Sequence, residues 1–370
     1  MRLWKSIAIQ VTILVVICYL FAFALANLES NANRLGVTLG FDFLKQAAGF
    51  PISEQWLNYQ PSDSNAMVWL VGVVNMLVVS ITTCCSATVI GMIIAFASMS
   101  TNTLISTTSV AYIEIFRNIP LLLQILFWYN FLINKLPKMQ NSWYFGSVLM
   151  NNRGIFMPVF PLVWEVLIIV IILAGFAKVL NRHVSRWHSL TIFATVLVLW
   201  WGISAGWAYW SNTITFPVQR GFQIRHAWHI HPEFLGLWLG LSFYTAAFCA
   251  EIFRAGLLAV PKGQYEASTA MGLSLWQRYR EVLLPQALPA VLPPLTSQYI
   301  NVQKNASLGV TVGYPELFAV FAGTVLNQTG RAVEIMLITM VTYYTLSSLL
   351  SLSMRKLNQR FSIWTATAQG

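Results

Sequence analysis

Residues 266–285, EASTAMGLSLWQRYREVLLP, form a polar, punctuated stretch between apolar runs. A short helix is expected from about Gln264 to Met271, where Gly272 follows. Glycine is the residue best able to take the left-handed conformation that ends a helix, so the chain should turn there. Ser274 and Gln277 stand at capping-box spacing, which predicts a second short helix from Leu275 toward Leu284. Pro285 should end it and start the next segment. On that second helix Leu275, Tyr279, Val282 and Leu283 share an apolar face, with Arg278 and Arg280 elsewhere. The product is a rigid elbow.

What flanks the elbow is a membrane protein. The 370 residues are 57% hydrophobic and only 9% charged, with a mean hydropathy of +0.63. Soluble domains carry about 25% charged residues because they must present a polar surface to water, so a soluble enzyme is excluded. A spanning helix needs about 20 mostly apolar residues. About eight such runs are expected, near 7-27, 67-97, 104-133, 159-177, 190-210, 234-253, 286-303 and 334-354. The seventh is interrupted by Pro289, Pro293 and Pro294. The net charge of +10 forms no basic stripe with interleaved aromatics of the kind that binds nucleic acid. Cys18, Cys84, Cys85 and Cys249 all lie in apolar runs and give neither a disulfide framework nor a metal spacing.

Arg2 and Lys5 precede an apolar run that ends in Ala24-Leu25-Ala26, which has the form of a signal-peptidase site. The uncharged run from Ser6 to Leu28 is longer than the core of about 7 to 15 residues usual in a signal peptide, so a retained helix is expected. With the N-terminus in the cytoplasm, more Lys and Arg fall on the inner side than on the outer, a modest positive-inside bias. An even number of spans then returns the C-terminus to the cytoplasm. Outside, residues from about 28 to 66, with Pro51, Pro61 and an amphipathic piece from Phe41 to Ala48, read as an ordered cap. His226, His229 and His231, beside Arg225 and Trp228, read as an interfacial aromatic and basic belt in preference to a metal site.

The elbow resembles the EAA loop of ABC-importer permeases. Glu266-Ala267-Ser268, Gly272, Val282 and Leu284-Pro285 match that motif, with Ser268 in place of the usual third alanine and Val282 in place of isoleucine. The runs Ala250-Glu251-Ile252-Phe253-Arg254-Ala255-Gly256 and Ala259-Val260-Pro261-Lys262-Gly263-Gln264 resemble the polar amino-acid branch of these permeases. So does Phe116-Arg117-Asn118-Ile119-Pro120-Leu121-Leu122-Leu123-Gln124, where Asn-Ile stands in place of Gly-Thr. That variant and the extra pair of spans are similar to the general L-amino-acid permeases of Gram-negative bacteria.

The resemblance implies an all-α integral membrane protein with a type I ABC-importer transmembrane domain. Residues 1-65 would be an N-terminal transmembrane helix and periplasmic cap, and 66-360 the permease domain. Within it, 134-233 would hold an inserted helix pair and periplasmic loops, and 262-285 the cytoplasmic coupling loop. The same resemblance implies import of polar or general L-amino acids across the bacterial inner membrane. The implied partners are a homologous second permease chain, two ABC ATPase subunits, a periplasmic amino-acid-binding protein and the lipid bilayer, with no nucleic acid. The chain has no GxxxxGK[ST] loop to cradle phosphates. ATP and Mg would therefore sit on the ATPase, and this chain would bind no cofactor or metal and catalyse no reaction itself. An ion-coupled secondary carrier is the alternative, although no intramembrane ion site or inverted repeat is identifiable for it.

Charged groups inside a bilayer cost about 2.5 to 3.5 kcal/mol on insertion scales and are functional suspects. Glu114 and Arg117 are spaced to pair on one helix face, either at a gate or as a structural ion pair. Glu251 and Arg254 repeat that spacing. Gln298, Asn301 and Lys304, beside Gln303 and Asn305, could address both ends of a zwitterionic amino acid or simply be solvated.

Overall fold

The computed structural model of the protein describes residues 9–20, 22–23, 26–27, 40–159, 215–221 and 223–367. Beyond Val159, the runs expected at 159-177 and 190-210 lie outside the described residues. The elements in chain order begin with helix α1 (Ile9–Leu20), α2 (Asn65–Ser98), α3 (Thr103–Asn118) and α4 (Leu121–Lys135). Strands β1 (Trp143–Phe145), β2 (Val148–Asn151), β3 (Gly154–Pro158), β4 (Val218–Arg220), β5 (Gln223–Arg225) and β6 (Ala227–Ile230) follow. Then come α5 (Pro232–Leu258), α6 (Lys262–Ala270), α7 (Leu275–Gln277), α8 (Leu284–Asn305), α9 (Leu326–Thr329) and α10 (Ala332–Thr367).

Three of these helices, α2, α5 and α10, are long and apolar enough to cross a membrane, and a fourth crossing results if α3 and α4 count as one bent span. The expected count of about eight is not reached among the described residues. The run at 104-133, expected as one helix, is two, bent by 104°. Pro120 is the cause: it has no N–H to donate and forces the preceding residue out of the helical region, and Ile119 accordingly sits at φ −84, ψ 127. The bend frees carbonyls in an apolar setting, where nothing else would bond them. The buried side chain of Gln124 supplies the donor, its Nε2 donating to Phe116 O at 2.9 Å and Ile119 O at 3.0 Å. Gln124→Leu should orphan both carbonyls and cost about 1–3 kcal/mol, read as a lower melting temperature of the detergent-solubilised protein.

The chain divides into two units, Met1–Asn75 with Glu316–Ser348, and Met76–Pro315 with Leu349–Gly370. In the first, the expected cap is ordered from Gly40 onward. Asp42–Lys45 form one 3-10 turn, and Asn65 Nδ2 donates to Phe43 O at 2.9 Å. Asn75 Nδ2 likewise holds Glu54 O at 2.9 Å. The fully buried Glu316 carboxylate accepts from the amides of Phe318 and Ala319, both at 2.8 Å. It thereby caps the π-helical segment Phe318–Val325, and the Tyr343 hydroxyl donates to it at 3.2 Å.

In the second unit α5 is central, and its sequence explains why. Small residues line it on several sides, the device by which membrane helices approach closely without a hydrophobic driving force. A Cβ on Gly236 would lie 2.9 Å from Tyr129 Cα, and one on Gly240 2.8 Å from Ile125 Cα, so α4 rests on these glycines. On another side α2 presents Gly91, where a Cβ would lie 2.6 Å from Cys249 Cβ and 2.9 Å from Ala246 O. Val291 of α8 fills the space left by Gly256. Despite Pro289, Pro293 and Pro294, α8 is a continuous helix.

An all-α fold was expected, and the structure corrects it: the chain is mostly helical but carries an antiparallel sheet of order β1-β2-β3-β6 and a separate β4-β5 hairpin. β3 pairs with β6 through Ile155↔Ile230, Phe156↔His229, Met157↔Trp228 and Pro158↔Ala227. Gly154 has φ +124, and a Cβ there would collide with the Ile230 carbonyl. The strands are three to five residues long, too short for alternation to stand out. The turn residues Asn152-Arg153-Gly154, set between two apolar runs, were the available hairpin signal.

Candidate coupling site

The elbow forms largely as its local signals dictate. α6 ends in a full Schellman arrangement: Gly272 N donates to Thr269 O at 3.0 Å and Leu273 N to Ser268 O at 3.3 Å, the paired bonds that satisfy the last carbonyls of a helix. Gly272 has φ +72. No other atom lies within 4 Å of where its Cβ would sit, so backbone conformation alone demands glycine here. The capping box is present in both halves, Gln277 N donating to Ser274 Oγ at 3.4 Å and Ser274 N to Gln277 Oε1 at 3.0 Å.

Two expectations fail after that point. The second helix does not stop at Pro285; α7 widens into a π-helical segment, Arg278–Leu283, that runs straight into α8. Its wider i→i+5 bonding, with Leu284 N donating to Tyr279 O, lets Pro285 enter the first turn of α8, where a missing N–H costs nothing. The changed phase also breaks the expected apolar face. Tyr279, Val282 and Leu283 turn inward against Phe96, Phe253, Leu257 and Ala287, and Tyr279 meets Phe96 edge-on with centroids 5.0 Å apart. Leu275 turns outward.

The elbow therefore has two unlike sides. Inside, it is pinned to the ends of α2, α5 and α8, and Tyr265 OH donates to Leu257 O at 3.0 Å. Ser268 is fully buried, with its Oγ donating to Tyr265 O at 2.8 Å, so only a small residue fits. Outside, Met271, Leu275 and Trp276 are 67%, 68% and 67% exposed. Glu266 and Ala267 are exposed as well, and Glu266 lines a shallow depression with Tyr265, Thr269 and Ala270. Val282, Leu284 and Pro285 are half-buried at its base.

The other candidates are not gathered into one site. Glu114 and Arg117 are exposed and form no ion pair among the described residues; the Arg117 guanidinium instead lies 5.2 Å from the centre of the Phe248 ring, a cation–π contact. Glu251 and Arg254 do pair, at 2.6 Å. Asn301 and Lys304 are exposed and Gln298 is half-buried. Among the described residues their side chains meet no hydrogen-bond partner. Sequence reasoning missed Gln124, whose signal was a polar residue just after the only proline of its run.

Residues 87–363 match the family of binding-protein-dependent transport system inner membrane components. The chain belongs to this family. It is 38% identical over 366 residues to the putative amino-acid ABC transporter permease protein YhdX of Escherichia coli (strain K12), covering 96% of this chain and 93% of that one. It is 37% identical over 376 residues to the general L-amino acid transport system permease protein AapQ of Rhizobium johnstonii, covering 97% and 93%. A solved chain described as an amino acid ABC transporter with histidines aligns at 19% identity with a TM-score of 0.48, covering 80% of this chain and 94% of that one. As an inner membrane component of this family the chain is a permease subunit, not itself the catalytic part of the transporter.

In this permease the histidines sit where the sheet meets α5. His229 stacks on Phe156 with centroids 4.1 Å apart and lies 3.8 Å from the His231 ring, while its Nε2 donates to Arg153 O at 2.7 Å. Among the described residues no group of three His, Cys, Asp or Glu is placed to hold a metal. Burial, with His229 adjacent, pushes His231 down to about 4. Burial lowers His229 as well, opposed by its bond to Arg153 O and by nearby Glu233. Folding thus favours neutral rings. Their contribution is complete above the unfolded value near 6.5 and is lost as pH falls from there toward 4. The melting temperature should fall over that window, and His231→Phe should flatten the fall.

Proposed function

We propose that this chain is the membrane-spanning permease subunit of a binding-protein-dependent ABC importer of polar or general L-amino acids. The elbow is its link to the motor. ATP and Mg are held by two separate ATPase subunits, and this chain binds no cofactor of its own. A homologous permease chain completes the pore, a periplasmic binding protein delivers the amino acid, and both termini of this chain face the cytoplasm. The transmembrane domain is of the type I importer kind.

The observation that carries this reading is the two-sided elbow of a family member. Its inner face is fixed to three helices, and its outer face leaves a Met, a Leu and a Trp bare to water. A contiguous exposed apolar patch of this kind marks a protein interaction surface. Seated in a groove of an ATPase, Met271, Leu275 and Trp276 would be buried, and closure of two ATPases would push on Gly272 and rock the attached helices between inward- and outward-facing states. The amino-acid class is supported by the names of relatives that match nearly the whole chain. Glu114, Arg117, Gln298, Asn301 and Lys304 remain the proposed contacts of the translocation path or gate.

The test is purification of the chain from its native membrane in mild detergent. An ATPase and a second permease chain should co-purify, and the ATPase should be lost when Met271, Leu275 and Trp276 are all changed to Ser. A chain that purifies alone, and whose vesicles take up amino acids without ATP, would overturn the proposal in favour of an ion-coupled carrier.

A further inference from the structure

We infer that the four-stranded sheet is the docking platform for the amino-acid-laden periplasmic binding protein, and that it receives an acidic face of that protein. This inference rests on the function proposed above. α5 is one uninterrupted helix of 27 residues, about 40 Å long at 1.5 Å per residue. The elbow follows its last turn, and β6 enters its first through His231 alone. The sheet therefore stands at the opposite end of α5 from the ATPase surface, on the side from which a periplasmic protein arrives.

Two properties of the sheet point to an occupant. The first is an uncovered aromatic edge. β1 is an edge strand, and Trp143, Tyr144 and Phe145 are 49%, 63% and 62% exposed. Successive side chains of a strand point to opposite faces, so neither face of β1 is covered. An open apolar edge left bare invites non-specific pairing and is normally blunted or occupied, and Trp and Tyr are the residues enriched at the centres of protein interfaces.

The second property is charge of one sign. Segments 134–159 and 215–231 contain Lys135, Lys138, Arg153, Arg220 and Arg225 and no Asp or Glu. Lys138, Arg153 and Arg225 are exposed. Short loops on the outer side of an inner membrane are ordinarily poor in Lys and Arg, so a run of five with no acid opposes the topological bias. A one-signed rim around an aromatic centre steers an oppositely charged protein to its docking pose. Because β6 runs directly into α5, load applied to the sheet reaches the helix whose other end carries the elbow.

The experiment uses the whole assembly in lipid nanodiscs, with its purified periplasmic binding protein, fluorescently labelled and saturated with amino acid, as the probe. Two variants are compared with wild type: Lys138→Glu with Arg153→Glu and Arg225→Glu, and Trp143→Ser with Phe145→Ser. Each must first elute as an intact assembly. The expected result is a Kd raised at least about tenfold in the charge variant, with the salt dependence of the wild type flattened. The aromatic variant should lose affinity while keeping that salt dependence. A Kd within about twofold of wild type in both variants, with unchanged salt slope, would overturn the assignment. So would an affinity that follows the anionic lipid content of the disc and not the charge on the sheet, which would make the rim a headgroup anchor. A wild-type assembly that binds no binding protein would overturn the importer reading itself, which separates the two failures.

Discussion

Replacing Gly272 by Val is expected to lower ATP-driven amino-acid uptake at least about tenfold while the chain still inserts and folds. The substitution meets no steric obstacle, since nothing lies within 4 Å of the added Cβ. The strain is confined to the backbone. At φ +72 a β-branched residue is a genuine outlier, and a left-handed position costs an L-residue roughly 1–2 kcal/mol. Relief requires leaving that conformation, which breaks the bonds from Gly272 N and Leu273 N and swings Ser274 and Trp276 away from their present direction. The buried side of the elbow, from Tyr279 to Leu283, is untouched. Gly272→Asn should retain most uptake, because Asn tolerates the left-handed region. Uptake and ATP hydrolysis measured together in proteoliposomes decide the matter: the Val variant should hydrolyse ATP without transporting. Normal transport by it would remove the elbow from the coupling path.

Gly240→Leu should have the largest effect on the fold. A Cβ at this position would lie 2.8 Å from Ile125 Cα and 3.0 Å from Ile125 N, and backbone atoms cannot rotate aside as a side chain can. Overpacking a core ordinarily costs about 1–3 kcal/mol, and here two whole helices must separate. Nor can α4 tilt to escape, because Gly236 holds Tyr129 equally close one turn away. The expected outcome is loss of the monodisperse species in detergent, or a melting temperature lowered by more than about 5 °C. Gly263→Leu is the control, a helical glycine with open space around it. Equal stability of the two variants would mean that α4 and α5 are not held at glycine contact.

How much of this was legible in the residues depended on how local each signal was. Gly272 and the Ser274–Gln277 box act over three or four residues, and both geometries follow directly from residue type. The membrane class was equally plain from composition. Hydropathy averaged over a window, in contrast, passes across Pro120 without registering it, so a 104° bend was read as one straight span. The short strands were missed for a related reason, since three residues do not establish a period. Spacing placed Glu114 and Arg117 on one face, but it could not reveal Phe248, which comes from a distant helix and takes the guanidinium instead. Leu275 was misplaced because a helical wheel assumes a constant pitch.

That change of pitch has a consequence for how the chain tolerates length variation. A π-helical segment behaves as an α-helix into which one residue has been inserted. Deleting any one residue from Arg278–Leu283 would leave an ordinary helix of unbroken composition and charge, yet rotate everything after it by about 100°. Ala287, Val291 and Leu295, which now point into the buried cluster, would all leave it together. The segment therefore works as a phase setting for α8, and a gap there would be far more damaging than any substitution within it.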